Sequence, residues 1–182
     1  MPSFVRTIPD GDTLERAVCT QCGFVDYQNP KIVTGSVVVH EGKVLLCRRA
    51  IEPRRGFWTL PAGYMELGET VAEGAVREAW EEAAARIVVE GMLACYSVSR
   101  IGQVQIIHLA RFDGPVHFAA GTESLEVALF AWADIPWDEI AFPTVQWALR
   151  AWHALGGGAP GVPDGNPESD RRGVNRLVEA SA

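Results

Sequence analysis

The spacing from Gly63 to Glu82 constrains this chain more than any other feature. Gly63-Tyr-Met-Glu-Leu-Gly-Glu69, followed by Arg77-Glu78-Ala-Trp-Glu81-Glu82, reads G-x5-E-x7-R-E-x-x-E-E. A loop running into a helix satisfies it. At roughly 100° per residue, Glu78, Glu81 and Glu82 share an arc of about 100° on one side of that helix. Ala72, Val76, Ala79 and Ala83 gather on the opposite arc, so one face is expected to be buried while the other stays acidic. Like charges on adjacent turns destabilise a helix unless something neutralises them. A hard divalent cation does so, and oxygen ligands suit Mg2+ or Mn2+ better than zinc. A Glu-rich face is usually just solvated, but six specified residue types at fixed spacing recur by chance only about once in 10⁷ positions.

The flanking residues support a built loop-helix unit. Thr70-Val-Ala-Glu73 has the form of a capping box, and Gly63 and Gly68 let the loop fold tightly. From Gly63 to Ala85 the pattern resembles the Nudix box. The resemblance implies a metal site on Glu78, Glu81 and Glu82 with a backbone carbonyl from the loop at Ala62, and it makes Glu78 and Glu82 catalytic. Arg77 is implied to pair with Glu69 as a structural brace. Ala84 stands where the family has a glycine, and Ala85 where a larger aliphatic is usual, which puts the helix end in doubt rather than the metal site. An alanine in the left-handed conformation a glycine would take there costs about 1 kcal/mol.

Length and charge narrow the alternatives. A chain of 182 residues with 48% hydrophobic residues suits one domain with a full core and short appendages. A formal net charge of −7 argues against long nucleic acids as partners. With no charged-then-apolar leader and no apolar run of membrane-spanning length, a cytoplasmic protein with no membrane partner is expected, its four cysteines as thiols.

Along the chain, residues 1–30 read as a small polar segment and residues 31–155 as the main domain. Ile32–His40 and Val44–Cys47 read as strands joined by a turn at Glu41-Gly42. Phe57–Leu60 reads as a short strand, Arg86–Ser99 and Gln103–Phe112 as two more, Leu125–Trp132 as another, and Thr144–Leu155 as a helix. That order gives an α/β fold with a mixed sheet. The resemblance implies the same, a Nudix-type α/β/α sandwich behind a small ribbon-like N-terminal segment. Residues 156–182, rich in Gly and Pro, read as a flexible tail without regular hydrogen bonding and dispensable for catalysis, with one helical turn near Val174; the alternative is a tail that closes over the substrate through Arg171 or Arg172.

Cys19-Thr-Gln-Cys22-Gly23 has the form of one zinc knuckle, and a closed site needs four ligands. Cys47 and Cys95 lie in apolar strands and are expected to be buried core thiols. The segments Ile8–Asp12, Cys19–Gly23 and Tyr27–Lys31 are similar to a Nudix branch with a ribbon-like N-terminal segment, which includes FAD and ADP-ribose pyrophosphatases. Pro2-Ser-Phe-Val5 lies where that branch shows its first Cys-x-x-Cys, so the ribbon is degenerate and no zinc within one chain is expected. A metal between subunits and a homodimer both stay open.

The implied reaction is Mg2+- or Mn2+-dependent hydrolysis of a diphosphate bond in a nucleoside diphosphate-linked small molecule, FAD or ADP-ribose. The alternative is a Nudix domain that binds a dinucleotide without turnover. A zinc-ribbon nucleic-acid module is a third reading, undercut by the missing knuckle and the acidic balance. Glu123 and Glu126 are the candidates for a general base outside the box. Arg49 and Arg54 are the candidates to grip phosphate, from a set that includes Arg48, Arg55 and Arg100. Tyr96, with Trp58 and Tyr64, is a candidate to stack on a ring of the substrate, with core packing as the alternative role for each.

Overall fold

Alternation between two apolar faces organises the main sheet. In the computed structural model, which describes residues 2–168, the chain divides into two compact units, one ending at Pro30 and one beginning at Lys31. The first unit is an antiparallel sheet of β1 (Phe4–Thr7), β2 (Arg16–Cys19) and β3 (Val25–Asp26). Asp12 ties its long turn, accepting from the amides of Thr13 and Leu14 and from Arg16 Nε at 2.8 Å. These bonds, the one from Arg16 first, hold its carboxyl down at about 2. Cys19 and Cys22 form the knuckle: the Gly23 amide donates to the Cys19 carbonyl at 3.0 Å. The Gln21 and Cys22 amides pull the Cys19 thiol below its ordinary value.

The second unit carries a seven-stranded mixed sheet. Its strands are β4 (Lys31–His40), β5 (Lys43–Arg49), β6 (Trp58–Thr59), β7 (Ala62–Tyr64), β8 (Ile87–Val98), β9 (Gln103–Phe112) and β10 (Ser124–Ala131). The order is β10-β5-β4-β9-β8, with β6 on β5 and β7 on β4. Only β4 and β9 run parallel. Helix α1 (Val71–Ala83) packs Ala79 and Ala83 against Val38, Leu45 and Cys47. Helix α2 (Pro143–Ala154) packs Val145, Ala148 and Leu149 with Val37, Val44 and Leu46. Neighbouring residues of one strand face opposite sides, so the helices cover opposite faces, an α/β/α sandwich.

One break in this sheet makes room for chemistry. Strands β4 and β5 pair only beside their turn, at Val39–Val44 and His40–Lys43. Beyond it β5 pairs with β6 and β4 with β7, so Leu60-Pro61-Ala62 wedges between two central strands. The Ser36 amide donates to the Pro61 carbonyl at 3.1 Å and holds the wedge.

Three expectations need correction. Cys95 is exposed while Cys47 is buried. Strand β8 is an edge strand, and Cys95 takes its outward face between buried Ala94 and Tyr96. The acidic face of α1 is only partly open: Ala79 and Ala83 are buried as expected, but Glu78 and Glu82 are buried too, while Glu81 and Val76 are exposed. The described part of the tail is also hydrogen-bonded, since the Asp164 amide donates to Leu93 O and the Cys95 amide to Asp164 O, both at 2.9 Å. The expected turn at Val174 and the arginines Arg171 and Arg172 lie outside the described residues. Among the described residues no helix is long and apolar enough to cross a membrane.

Candidate active site

The site begins at the start of α1. Thr70 closes the capping box in both directions, its hydroxyl accepting from the Glu73 amide at 3.2 Å and its amide donating to Glu73 at 2.8 Å. This fixes where the helix starts, and so where Arg77, Glu78, Glu81 and Glu82 project. Arg77 is the hub. Its Nε and Nη2 donate to the two oxygens of Glu69 at 3.0 and 2.8 Å, a bidentate pair. Nη2 also reaches the Tyr64 carbonyl at 3.0 Å, and Nη1 donates to Glu78 at 2.7 Å and Glu81 at 3.0 Å. Glu69 in turn accepts from the Glu66 amide at 2.7 Å. Arg77 first, then that amide, holds the Glu69 carboxyl down at about 2. Loop 64–69 is thereby stapled to the helix through charge-assisted bonds.

Close approach sets two further positions. A side-chain carbon on Gly63 would overlap the Glu78 carboxylate, so any larger residue there would push that group out of its place. Gly121 lies against the last turn of α1, where a side-chain carbon would overlap the Glu81 carbonyl, and its amide donates to Glu82 O at 3.0 Å. This contact brings Thr122 and Glu123 to the same wall as the helix carboxylates.

The carboxylates are poorly solvated. Burial raises Glu78 above the usual carboxylate range against the pull of Arg77. Glu82 is pushed up to about 8, first by burial and further by Glu78 and Glu123, while the Ala62 amide, donating at 3.2 Å, and Arg49 oppose the shift. Repulsion between buried carboxylates is the kind that a hard cation relieves, and every side-chain donor on this face is oxygen. Among the described residues the acidic side chains are not gathered as a ready cage; Arg77 Nη1 instead occupies Glu78 and Glu81.

These groups line a cavity of about 1180 Å³ in the gap between β4 and β5. Glu78, Glu81, Glu82, Ala62 and Glu123 lie along it, and Arg49 and Arg100 supply positive charge. Arg49 is steadied by donating from Nε to the Pro53 carbonyl at 2.9 Å and by lying over the Phe142 ring. Uncharged residues line it too: Tyr64, Gln103, Gln105, Ser97, Val98 and Ile101. Gln105 donates to Gln103 at 3.1 Å, and Gln103 to the Tyr64 hydroxyl at 3.1 Å.

Several expected site residues stand elsewhere. Glu126 is opposite Arg48 in the β10–β5 register and faces that guanidinium at 3.6 Å, outside the cavity lining. Arg54 lies over the Phe57 ring, away from the cavity, in a left-handed backbone conformation. Tyr96 is fully buried in the α2-side core, edge-on to Trp147, with its hydroxyl unpartnered. Burial raises the pKa of that phenol well above its ordinary value. Trp58 is core as well. Glu52, Gln103, Gln105 and Thr122 line the cavity without having been singled out. They carry no spacing signal, because separate loops and a strand end bring them together.

Comparison with known proteins agrees with this geometry. Residues 30–148 match the NUDIX domain family, and residues 3–28 match the Nudix N-terminal family, a zinc-ribbon type. A MutT-like protein of Streptomyces ambofaciens is 33% identical over 131 residues, 71% of this chain and 79% of that protein. The crystal structure of a NUDIX hydrolase from Nitrosomonas europaea superposes with a TM-score of 0.84 at 44% identity, covering 89% of this chain and 92% of that one. An ADP-ribose pyrophosphatase of Methanocaldococcus jannaschii is 37% identical over 71 residues, 39% of this chain and 42% of that protein. The braced loop, the carboxylate helix and the split sheet are those of one family, and the chain belongs to the Nudix hydrolases.

Proposed function

We propose that this protein hydrolyses the diphosphate linkage of ADP-ribose or a closely similar nucleoside diphosphate conjugate such as FAD, using Mg2+ or Mn2+. The observation that carries the reading is the burial of Glu78 and Glu82 along a cavity with Arg49 and Arg100 on its walls. At about 1180 Å³ that cavity exceeds the roughly 300–1,000 Å³ usual for one drug-sized ligand, which suits two linked groups. The likeness to an ADP-ribose pyrophosphatase supports the first choice of substrate.

Glu78, Glu81 and Glu82, with the Ala62 carbonyl, would hold the cation, which must compete with Arg77 Nη1 for Glu78 and Glu81. Bound there, a divalent ion lowers the pKa of water and neutralises charge on phosphoryl oxygens. Glu123 is the base that takes the proton of the attacking water, since it shares the cavity with Glu78 and Glu82 and Glu126 does not. Arg49 and Arg100 receive diphosphate oxygens, and Arg77 with Glu69 keeps the loop against the helix. Turnover should be measured with Mg2+ on ADP-ribose, FAD and NADH, scoring AMP. Release of AMP that EDTA abolishes is expected. Binding of ADP-ribose with no turnover would mark a binding domain instead.

A further inference from the structure

The chain beyond α2 returns to the catalytic unit as a strap along its exposed sheet edge. Among the described strands, β8 has β9 alone beside it. On the other side the strap approaches at Pro160, whose ring lies 3.4 Å from the position a side-chain carbon on Gly91 would take. It then pairs in parallel, Ala94 with Asp164, through the two backbone bonds already described. Further along, the side chain of Asn166 reads both backbone groups of Ser97. The Ser97 amide donates to Asn166 Oδ1 at 2.8 Å, and Asn166 Nδ2 donates to the Ser97 carbonyl at 2.9 Å.

Ser97 is where β8 becomes the wall of the cavity. Ser97 and Val98 line it, and the 3-10 turn that follows, Ser99–Ile101, contributes Arg100 and Ile101. This wall comes from an edge strand and a single short turn, and edge backbone left unpaired opens readily to solvent. The two Asn166 bonds grip the backbone at the point where regular pairing gives way to the turn. We infer that Asn166 is a positioning residue for the substrate: by clamping Ser97 it fixes the wall that carries Val98, Arg100 and Ile101. The inference rests on the proposed hydrolase reading. It acts on affinity rather than on bond cleavage, because the carboxylates and Glu123 stand on other elements.

The test uses the full chain with Asn166→Ala, which removes both bonds, beside Val162→Ser, a fully exposed strap residue, as control. KM for ADP-ribose should rise about two- to tenfold in Asn166→Ala, the range expected for losing such hydrogen bonds, with kcat retained. Val162→Ser should leave both unchanged. Amide exchange at Ser97 and Val98 should quicken in Asn166→Ala, which a role confined to overall stability would not produce selectively. The Kd of ADP-ribose in EDTA should rise in parallel with KM. Unchanged KM and Kd in Asn166→Ala, or a fall in kcat at constant KM, would overturn the inference. If the unaltered protein binds ADP-ribose without turning it over, the hydrolase reading fails and the Kd comparison still decides the role of Asn166.

Discussion

Glu82 carries two burdens at one position, a buried negative charge and a share of the cation site. Replacing it with Gln keeps the shape and should lower kcat at least ~10²-fold, as when one electrostatic stabiliser is removed. The same variant tests the burial. Without metal, the folded protein keeps on Glu82 a proton that the unfolded chain releases above its ordinary value of 4.5, because the folded value is about 8. That stability is complete below about 4.5 and is lost as pH rises towards about 8. In EDTA the Tm should fall across this window, and Glu82→Gln should flatten the fall; equal slopes would mean that the carboxylate is solvated. Ala84 gives an independent prediction. It caps α1 at φ 48°, in the left-handed region, as the departure from glycine suggested. Ala84→Gly should stabilise the protein by about 1 kcal/mol, a rise in Tm of about 2–4 °C for a chain of this size. A lower Tm would show that the methyl group's packing outweighs its strain.

At the scale of elements, α1 and loop 64–69 behave as one piece because Arg77 ties them. Its guanidinium bonds Glu69, Glu78, Glu81 and the Tyr64 carbonyl at once, which the point charge of lysine cannot reproduce. Arg77→Lys should cost about 2–3 kcal/mol, in line with losing charge-assisted bonds. It should also speed proteolysis within 64–69 and lower kcat. A variant as stable and as active as the original would reduce Arg77 to a surface charge. Thr70, Glu73 and the box spacing made this unit legible in the sequence, since all its contacts lie within a few turns. The uncharged part of the cavity lining was not legible. Gln103 and Tyr64 meet only because β7 and β9 both pair with β4, a register no local pattern encodes.

For the whole molecule, cation binding and folding are linked. Mg2+ binds deprotonated carboxylates in the native state, so it should raise the Tm, and by more at pH 8 than at pH 6, where Glu82 in the metal-free protein holds its proton. A Tm indifferent to Mg2+ at both pH values would remove the cation from Glu78, Glu81 and Glu82. By itself the sequence determined the order of the longer elements from Lys31 on, the box helix with its cap and its brace, and the family, because these depend on the period of apolar residues and on short-range chemistry; the short strand Ala62–Tyr64 and the three strands before Pro30 were not legible. Only the tertiary structure decided which face of α1 is buried, since that depends on what the sheet offers it. It also separated Glu123 from Glu126, residues three apart: the contact of Gly121 with α1 carries one into the cavity, while strand register hands the other to Arg48. It turned Tyr96 into core and part of an apparent tail into a strap on β8, because long-range pairing is invisible to composition.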